Sequence, residues 1–149
     1  MIWIKLCSIV FLSLSLMFTG CKSQSNEEVY VSDLYNIHEE YQDAWGNVGK
    51  YDISLPRIHC DSKSAKKLNK TIKNEYKDLI HTLNEAKEEK YTLPDTSISY
   101  KEYWNKKMVS LVIKEEVEAD DPRYKVYHFD FKTKKRVSNK KLYKKYKIN

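Results

Sequence analysis

The pattern of hydrophobic and polar positions divides the chain into three parts. Residues 6–18 are predominantly apolar and follow a single positive charge at Lys5, whereas residues 22–28 are polar and show no apolar period. From Tyr51 onward, apolar residues recur at the spacings of strands and helices. The pattern predicts a signal peptide over residues 1–20, a lipidated tether over residues 21–50 and a folded domain over residues 51–149.

The first half of this domain is predicted to contain one strand and one long helix. Residues 51–55 alternate as in a strand, which Pro56 is expected to end. Ser62 or Ser64 then caps a helix that frays toward Lys90. Its apolar face repeats at spacings of three and four and consists of Leu68, Ile72, Tyr76, Leu79, Ile80 and Leu83.

The second half of the domain is predicted to be mostly strand. Residues 97–104, 108–117 and 123–131 are rich in alternating β-branched and aromatic residues, with polar turns between them. After Val137, Ser138 caps a final helix that carries Leu142 and Tyr146. The expected fold class is α+β: one main amphipathic helix packs on an antiparallel β-meander, and a short C-terminal helix follows.

The second half of the tether has a weaker pattern. Ile37, Tyr41 and Trp45 are spaced by four, which predicts a short helix that Gly46 and Gly49 would end. We expect this part to dock on the domain. His38 is not followed by a second histidine four residues later, so the zinc-protease pattern is absent from the sequence.

The end of the apolar leader carries the clearest functional signal. The run is shorter than the ~20 residues of a membrane span, and it ends in Phe18-Thr19-Gly20-Cys21. This segment resembles the lipobox of bacterial lipoproteins, although Phe18 stands where Leu is usual. The resemblance implies cleavage before Cys21 and lipid on that cysteine, which would hold the chain on the extracytoplasmic face of the cell membrane. The alternative is an uncleaved anchor helix with an incidental cysteine.

The domain itself resembles a small domain of unknown function that precedes the catalytic module in PdaC-type peptidoglycan deacetylases and occurs in RsiV-type anti-sigma factors. The resemblance covers roughly residues 51–143, and the matching segments are residues 53–58, 68–72, 99–100, 108–113 and 124–130, followed by 132–134. It implies the α+β fold and an envelope role. Members often continue into a second domain, which grips lysozyme in the RsiV type. This chain stops at Asn149 and has Lys134 where Gly is usual, so lysozyme recognition is not carried over.

Charge is distributed unevenly along the chain. The net charge is +6, but residues 22–50 contain six acids against two bases, whereas residues 51–149 contain 24 bases against 15 acids. Residues 132–149 contain no acid and nine bases, interleaved with Tyr143 and Tyr146: Lys132, Lys134, Lys135, Arg136, Lys140, Lys141, Lys144, Lys145 and Lys147. Export argues against nucleic acid as the partner. The tail is either a solubilising face or a contact for anionic wall polymer or lipid headgroups.

Other residues with reactive side chains form no recognisable site in the sequence. His59-Cys60-Asp61 is a short cluster without further ligands at metal spacing, since His38, His81 and His128 lie far apart along the chain. The acidic stretch formed by Glu115, Glu116, Glu118, Asp120 and Asp121 lacks the spacing of an EF-hand. We therefore predict no catalytic residue, no metal site and no cofactor.

These observations predict a lipid-anchored, non-enzymatic surface domain that binds an envelope polymer or a protein partner, whose identity the sequence leaves open. Two alternatives stay open. The chain could be a truncated relative of an envelope deacetylase or of a lysozyme-sensing anti-sigma factor, or it could be an immunity or inhibitor lipoprotein.

Overall fold

The computed structural model describes residues 29–146, so the predicted signal peptide and the predicted lipidation at Cys21 lie outside the described residues. Within this range the fold is a mixed α and β structure of six strands and three helices. The elements in chain order are β1 (Tyr30–Gln42), β2 (Val48–His59), α1 (Lys63–Glu75), α2 (Lys77–Glu89), β3 (Thr96–Trp104), β4 (Met108–Val117), β5 (Arg123–Asp130), β6 (Lys135–Val137) and α3 (Asn139–Tyr146). The six strands form one sheet in the order β1-β2-β3-β4-β5-β6.

The segment before Tyr51 belongs to the sheet, and the expected short helix at Ile37 and Tyr41 is wrong. β1 pairs antiparallel with β2 along its whole length, from Tyr30 opposite His59 to Gln42 opposite Val48. A spacing of four is also a multiple of two, so these side chains share one face of a strand as readily as one face of a helix. The folded unit therefore begins about 20 residues earlier than the sequence pattern indicates.

Pro56 does not end β2, which continues to His59. Pro56 lies opposite Asp33, where the pairing register of β1 shifts between Asp33 and Tyr35. An irregularity of this kind leaves a ladder position without its regular hydrogen bond. A residue that lacks a backbone N–H is therefore tolerated there.

The expected main helix is divided in two at Tyr76. Ser62 caps α1, and its side chain accepts a hydrogen bond from the backbone N–H of Ala65 at 3.0 Å. At Tyr76 the backbone leaves the helical region, with φ −107° and ψ 0°, and α2 begins at the next residue. Neither proline nor glycine stands near this break, so the sequence contains no local signal for it.

The sheet is mixed, so the expected antiparallel meander is correct only for β3 to β6. β2 pairs with β3 in parallel, from Tyr51 opposite Thr96 to Ile53 opposite Ile98. The chain crosses between these two strands through α1 and α2, which supply the long connection that a parallel pair requires. β3, β4, β5 and β6 then follow as antiparallel neighbours.

The hydrophobic core lies between α1, α2 and one face of the sheet. Alternate residues of the strands are buried in it, while the intervening residues of β4 are half-buried on the opposite face. The fully buried members include Ile53, Leu55, Leu68, Ile72, Leu111, Ile113 and Phe129. Leu79 and Ile80, expected on the core face, are only partly buried. Within residues 29–146, no helix combines the length and the apolar character needed to cross a membrane.

The side chain of Asn69 replaces a neighbouring strand at the far end of β2. β3 accompanies β2 only as far as Ile53. Farther along, Asn69 Oδ1 accepts from the backbone N–H of Ile58 at 2.9 Å, and Asn69 Nδ2 donates to the carbonyl of Ile58 at 2.8 Å. One side-chain amide on α1 therefore satisfies both backbone groups of a buried strand residue.

We expect Asn69→Ala to lower the free energy of unfolding by about 1–3 kcal/mol, because both backbone groups of Ile58 lose their partner. Urea denaturation measures this change. Asn84→Ala on the exposed side of α2 is the matched control, with an expected change within about 0.5 kcal/mol. Equal effects of the two substitutions would contradict the role given to Asn69.

Candidate anion-binding site

The direction of the strands brings most of the basic C-terminal residues to one end of the sheet. β3 and β5 finish at this end and β4 begins there, so the β3–β4 turn and the β5–β6 turn are neighbours. The backbone N–H of Phe131 donates to the carbonyl of Lys107 at 3.0 Å and joins the two turns. We call this region, together with β6 and α3, the basic end. Its basic residues are Lys106, Lys107, Lys132, Lys134, Lys135, Arg136, Lys140, Lys141, Lys144 and Lys145.

A cavity of about 450 Å³ opens at the basic end, between the β3–β4 turn and α3. Four lysines from the two elements line it: Lys106, Lys107, Lys141 and Lys145. Apolar side chains of Met108, Val137 and Leu142 also line the cavity. We call this cavity the basic pocket. It lies on the face of the sheet opposite α1 and α2, because Met108 alternates with the buried Val109.

The turn that carries Lys106 and Lys107 has a defined local geometry. Asn105 Oδ1 accepts from the backbone N–H groups of Lys107 and Met108, both at 2.9 Å. The backbone N–H of Asn105 donates to the carbonyl of Met108 at 2.9 Å. An asparagine that bonds to the backbone two and three residues later is a common means of closing a turn.

The other wall of the pocket begins at the predicted helix cap. Ser138 Oγ accepts from the backbone N–H of Lys141 at 3.3 Å, so the expected cap of α3 is confirmed. Tyr143 on α3 is 53% exposed. The side chain of Tyr146 and the predicted base Lys147 lie outside the described part of the chain.

One carboxylate, Asp130, also lines the basic pocket. It accepts from the backbone N–H of Thr133 at 2.8 Å, and this bond lowers the pKa of Asp130, with a smaller contribution from the charge on Lys107. Asp130 is therefore ionised at neutral pH and offsets only part of the positive charge. The pocket presents several flexible ammonium groups beside an apolar surface, which suits an anionic group attached to an organic chain.

The acidic stretch of the sequence lies at the other end of the same strands. Glu116, Glu118 and Asp120 line a second cavity of about 490 Å³ together with Asp52 and Asp95. The backbone N–H of Glu118 donates to the carbonyl of Asp95 at 2.8 Å, which links the two segments. Within residues 29–146, no three side chains of His, Cys, Asp or Glu are placed so that they could hold a metal ion together.

The cluster His59-Cys60-Asp61 does not form a site in the structure. His59 Nε2 is 2.7 Å from Ser32 Oγ, and the His59 ring stacks on Tyr30 with ring centroids 4.2 Å apart. Asp61 Oδ1 instead accepts from Lys66 Nζ at 2.8 Å. The side chains of His59 and Asp61 therefore engage different partners. Cys60, which lies between them in the sequence, is half-buried.

The other histidines are likewise distributed over separate places. His38 contacts Asp52, and His81 contacts Glu85 on the same helix. His128 lies 2.8 Å from Ser110 Oγ through its Nδ1 atom, and burial lowers the pKa of His128. His128 is therefore neutral at physiological pH.

A buried polar network lies at the break between α1 and α2, and the sequence pattern does not predict it. Tyr76 donates its hydroxyl to Glu115 Oε1 at 2.6 Å, and Lys125 Nζ lies 2.7 Å from the same oxygen. Lys125 also lies over the Tyr76 ring, 4.5 Å from its centroid. A single glutamate of the acidic stretch thus points into the core and links the helix break to β4 and β5.

Glu115 keeps its charge in this network. Burial alone raises its pKa, but the hydrogen bonds from Lys125 and Tyr76 and the charges of Lys125 and Arg123 outweigh burial, so the pKa of Glu115 lies below its usual range. Burial and the bond to Glu115 raise the pKa of the Tyr76 hydroxyl, which stays protonated as the donor. A carboxylate whose pKa is lowered by folding stabilises the fold at pH values above the pKa that it has in the unfolded chain.

We expect the stability supplied by Glu115 to be present at neutral pH and to be lost as the pH falls below the ordinary glutamate pKa of 4.5 toward the lowered pKa of the folded state. Glu115→Gln should lower the free energy of unfolding at pH 7 by about 1–3 kcal/mol. The difference from the unsubstituted protein should shrink as pH falls through this window. Urea denaturation at a series of pH values measures both effects.

Glu116→Gln, a neighbour on the opposite face of β4, is the control. Its half-buried side chain is 44% accessible to solvent and pairs with Lys114, so its expected effect is less than about 1 kcal/mol. A difference between the unsubstituted protein and Glu115→Gln that stays constant with pH would contradict the assignment.

The fold and the pocket together define a small one-sheet α and β domain with a lysine-lined pocket at one end of the sheet. No protein-family model matches the chain, and no curated protein is significantly similar to it in sequence.

Proposed function

We propose that this chain is a non-enzymatic surface lipoprotein whose folded domain binds anionic groups of the cell envelope. Lipid on Cys21 would hold it on the extracytoplasmic face of the cell membrane. The observation that carries the binding proposal is the basic pocket, in which Lys106 and Lys107 from one turn face Lys141 and Lys145 from α3 around an apolar wall.

The energetics of lysine near an anionic surface support this proposal. Each basic residue close to such a surface contributes ~1 kcal/mol. The pocket has four lysines against the one carboxylate of Asp130. Apolar contact with Met108 and Leu142 adds binding that salt does not screen.

A relationship to the PdaC- and RsiV-type domain remains part of the proposal. In this interpretation, α1 and α2 together correspond to the main amphipathic helix, and β3 to β6 correspond to the meander.

We expect Cys21→Ala to abolish incorporation of labelled fatty acid, because the thiol of Cys21 is the proposed site of acylation. The uncleaved precursor should then accumulate in the membrane fraction. Cys60→Ala is the matched control, and its labelling should equal that of the unsubstituted chain. Continued labelling of Cys21→Ala would contradict the lipoprotein assignment.

We expect the double substitution Lys107→Gln and Lys141→Gln to weaken retention on purified cell walls and on anionic lipid vesicles. Removing two charges at ~1 kcal/mol each corresponds to a roughly thirty-fold higher Kd. Co-sedimentation of residues 22–149 at low and high salt measures this change.

The matched control is Lys67→Gln with Lys70→Gln, which removes the same charge from the exposed side of α1. Its Kd should change less than three-fold if the pocket is specific. Equal weakening by both pairs would mean that only net charge matters, and the pocket would then have no role.

A further inference from the structure

The path of the chain places the start of the folded domain at the basic end. β2 and β3 run in parallel, so His59 at the end of β2 lies toward the same end of the sheet as Trp104 at the end of β3. Tyr30 pairs with His59. The chain therefore enters β1 at the end of the sheet that also carries the lysines of the basic pocket.

The covalent length of the connection keeps this end near the proposed anchor. Eight residues, 22–29, separate Cys21 from Tyr30, the first residue of β1, and the nine steps between these two Cα atoms span at most about 32 Å. The 10 residues of β4 span about 33 Å at roughly 3.3 Å per residue. An anchored Cys21 thus holds Tyr30, where the chain enters the sheet, within about one strand length of the membrane surface.

Exposed aromatic side chains accompany the lysines at this end. Trp104 is 46% exposed and contacts Phe131, with ring centroids 5.8 Å apart, and Tyr103 is 56% exposed. Tyr143 on α3 is exposed as well. Tryptophan and tyrosine are the side chains that favour the interface between lipid headgroups and water.

The opposite end of the sheet has the opposite charge. Five carboxylates line the second cavity there against one base, Lys50: Asp52, Asp95, Glu116, Glu118 and Asp120. Trp45 is also at this end, in the β1–β2 turn, and is 80% exposed. An anionic membrane would attract one end of the domain and repel the other, which selects a single orientation.

We infer that the domain docks with its basic end on the anionic phospholipid headgroups of the membrane that holds its own anchor, and that its acidic end points away from that membrane. This inference rests on the proposed function and names the anionic partner. The lipid on Cys21 attaches the chain to the membrane. This attachment gives the basic end a high effective concentration at the headgroups, so that even weak binding keeps most molecules docked. The basic end therefore sets the orientation rather than the attachment.

The test uses one tryptophan at each end of the sheet. The full chain contains Trp3, Trp45 and Trp104. Cleavage before Cys21 removes Trp3, so two variants of the lipidated chain, Trp45→Phe and Trp104→Phe, each keep a single tryptophan. Each is reconstituted into phosphatidylcholine vesicles with or without phosphatidylglycerol, and the quencher is a lipid brominated close to its headgroup.

In vesicles with phosphatidylglycerol, we expect the fluorescence of Trp104 to be quenched by at least half and shifted to the blue, while that of Trp45 is unchanged. In pure phosphatidylcholine neither tryptophan should be quenched. Lys107→Gln with Lys141→Gln should reduce the quenching of Trp104, and Lys67→Gln with Lys70→Gln should leave it in place. Equal quenching of both tryptophans, or none of Trp104, would overturn the inference.

Failure of the orientation and failure of the proposed function give different results. Flotation of the protein with both kinds of vesicle reports the anchor, independently of any quenching. Retention on purified cell walls reports anion binding by the pocket. Flotation and wall retention without quenching of Trp104 would overturn membrane docking and assign the pocket to a wall polymer.

Discussion

The structure depends on a sheet that is covered by α1 and α2 on one face only. Every second residue of the central strands is buried under these helices, as Leu111, Ile113 and Phe129 are. Because side chains alternate across a strand, this one-sided burial sets the register of each pair and sends the intervening residues to the other face. The basic pocket forms on that other face, where Met108 and α3 meet.

The crossover from β2 to β3 determines what lies at each end of this sheet. A parallel pair requires that the chain return along the sheet before β3 begins, and α1 and α2 make that return. As a result β1 begins at the end where β3 finishes. The entry of the chain, the β3–β4 turn and α3 therefore share one end, whereas the carboxylates of Asp95 and Glu118 share the other.

The buried network at Tyr76 shows how this arrangement is held together. Glu115 contacts the break between α1 and α2 and also Lys125 of β5, so its charge is satisfied by groups that are distant in sequence. A second such link joins the hydroxyl of Tyr127 to Glu75 at the end of α1. Both links join the α1–α2 crossover to the sheet near its centre. Apolar packing alone does not specify which residues of the helices and the sheet meet there.

By itself the sequence determined several local elements and their buried faces. β4 has the predicted bounds, α1 begins at one of the two predicted caps, and Leu68 and Ile72 are buried as their spacing of four predicts, because burial repeats with the period of the backbone. For the basic pocket, the sequence indicated only the run of bases that begins at Lys132. It did not indicate that Lys106 and Lys107 form the second wall. Tertiary structure decided that β1 is a strand, that Tyr76 breaks the helix, that β2 and β3 are parallel, and that the C-terminal lysines and the carboxylates of residues 116–120 lie at opposite ends of the sheet. These properties depend on which segments meet, and a local pattern of apolar residues does not encode the partner across the sheet.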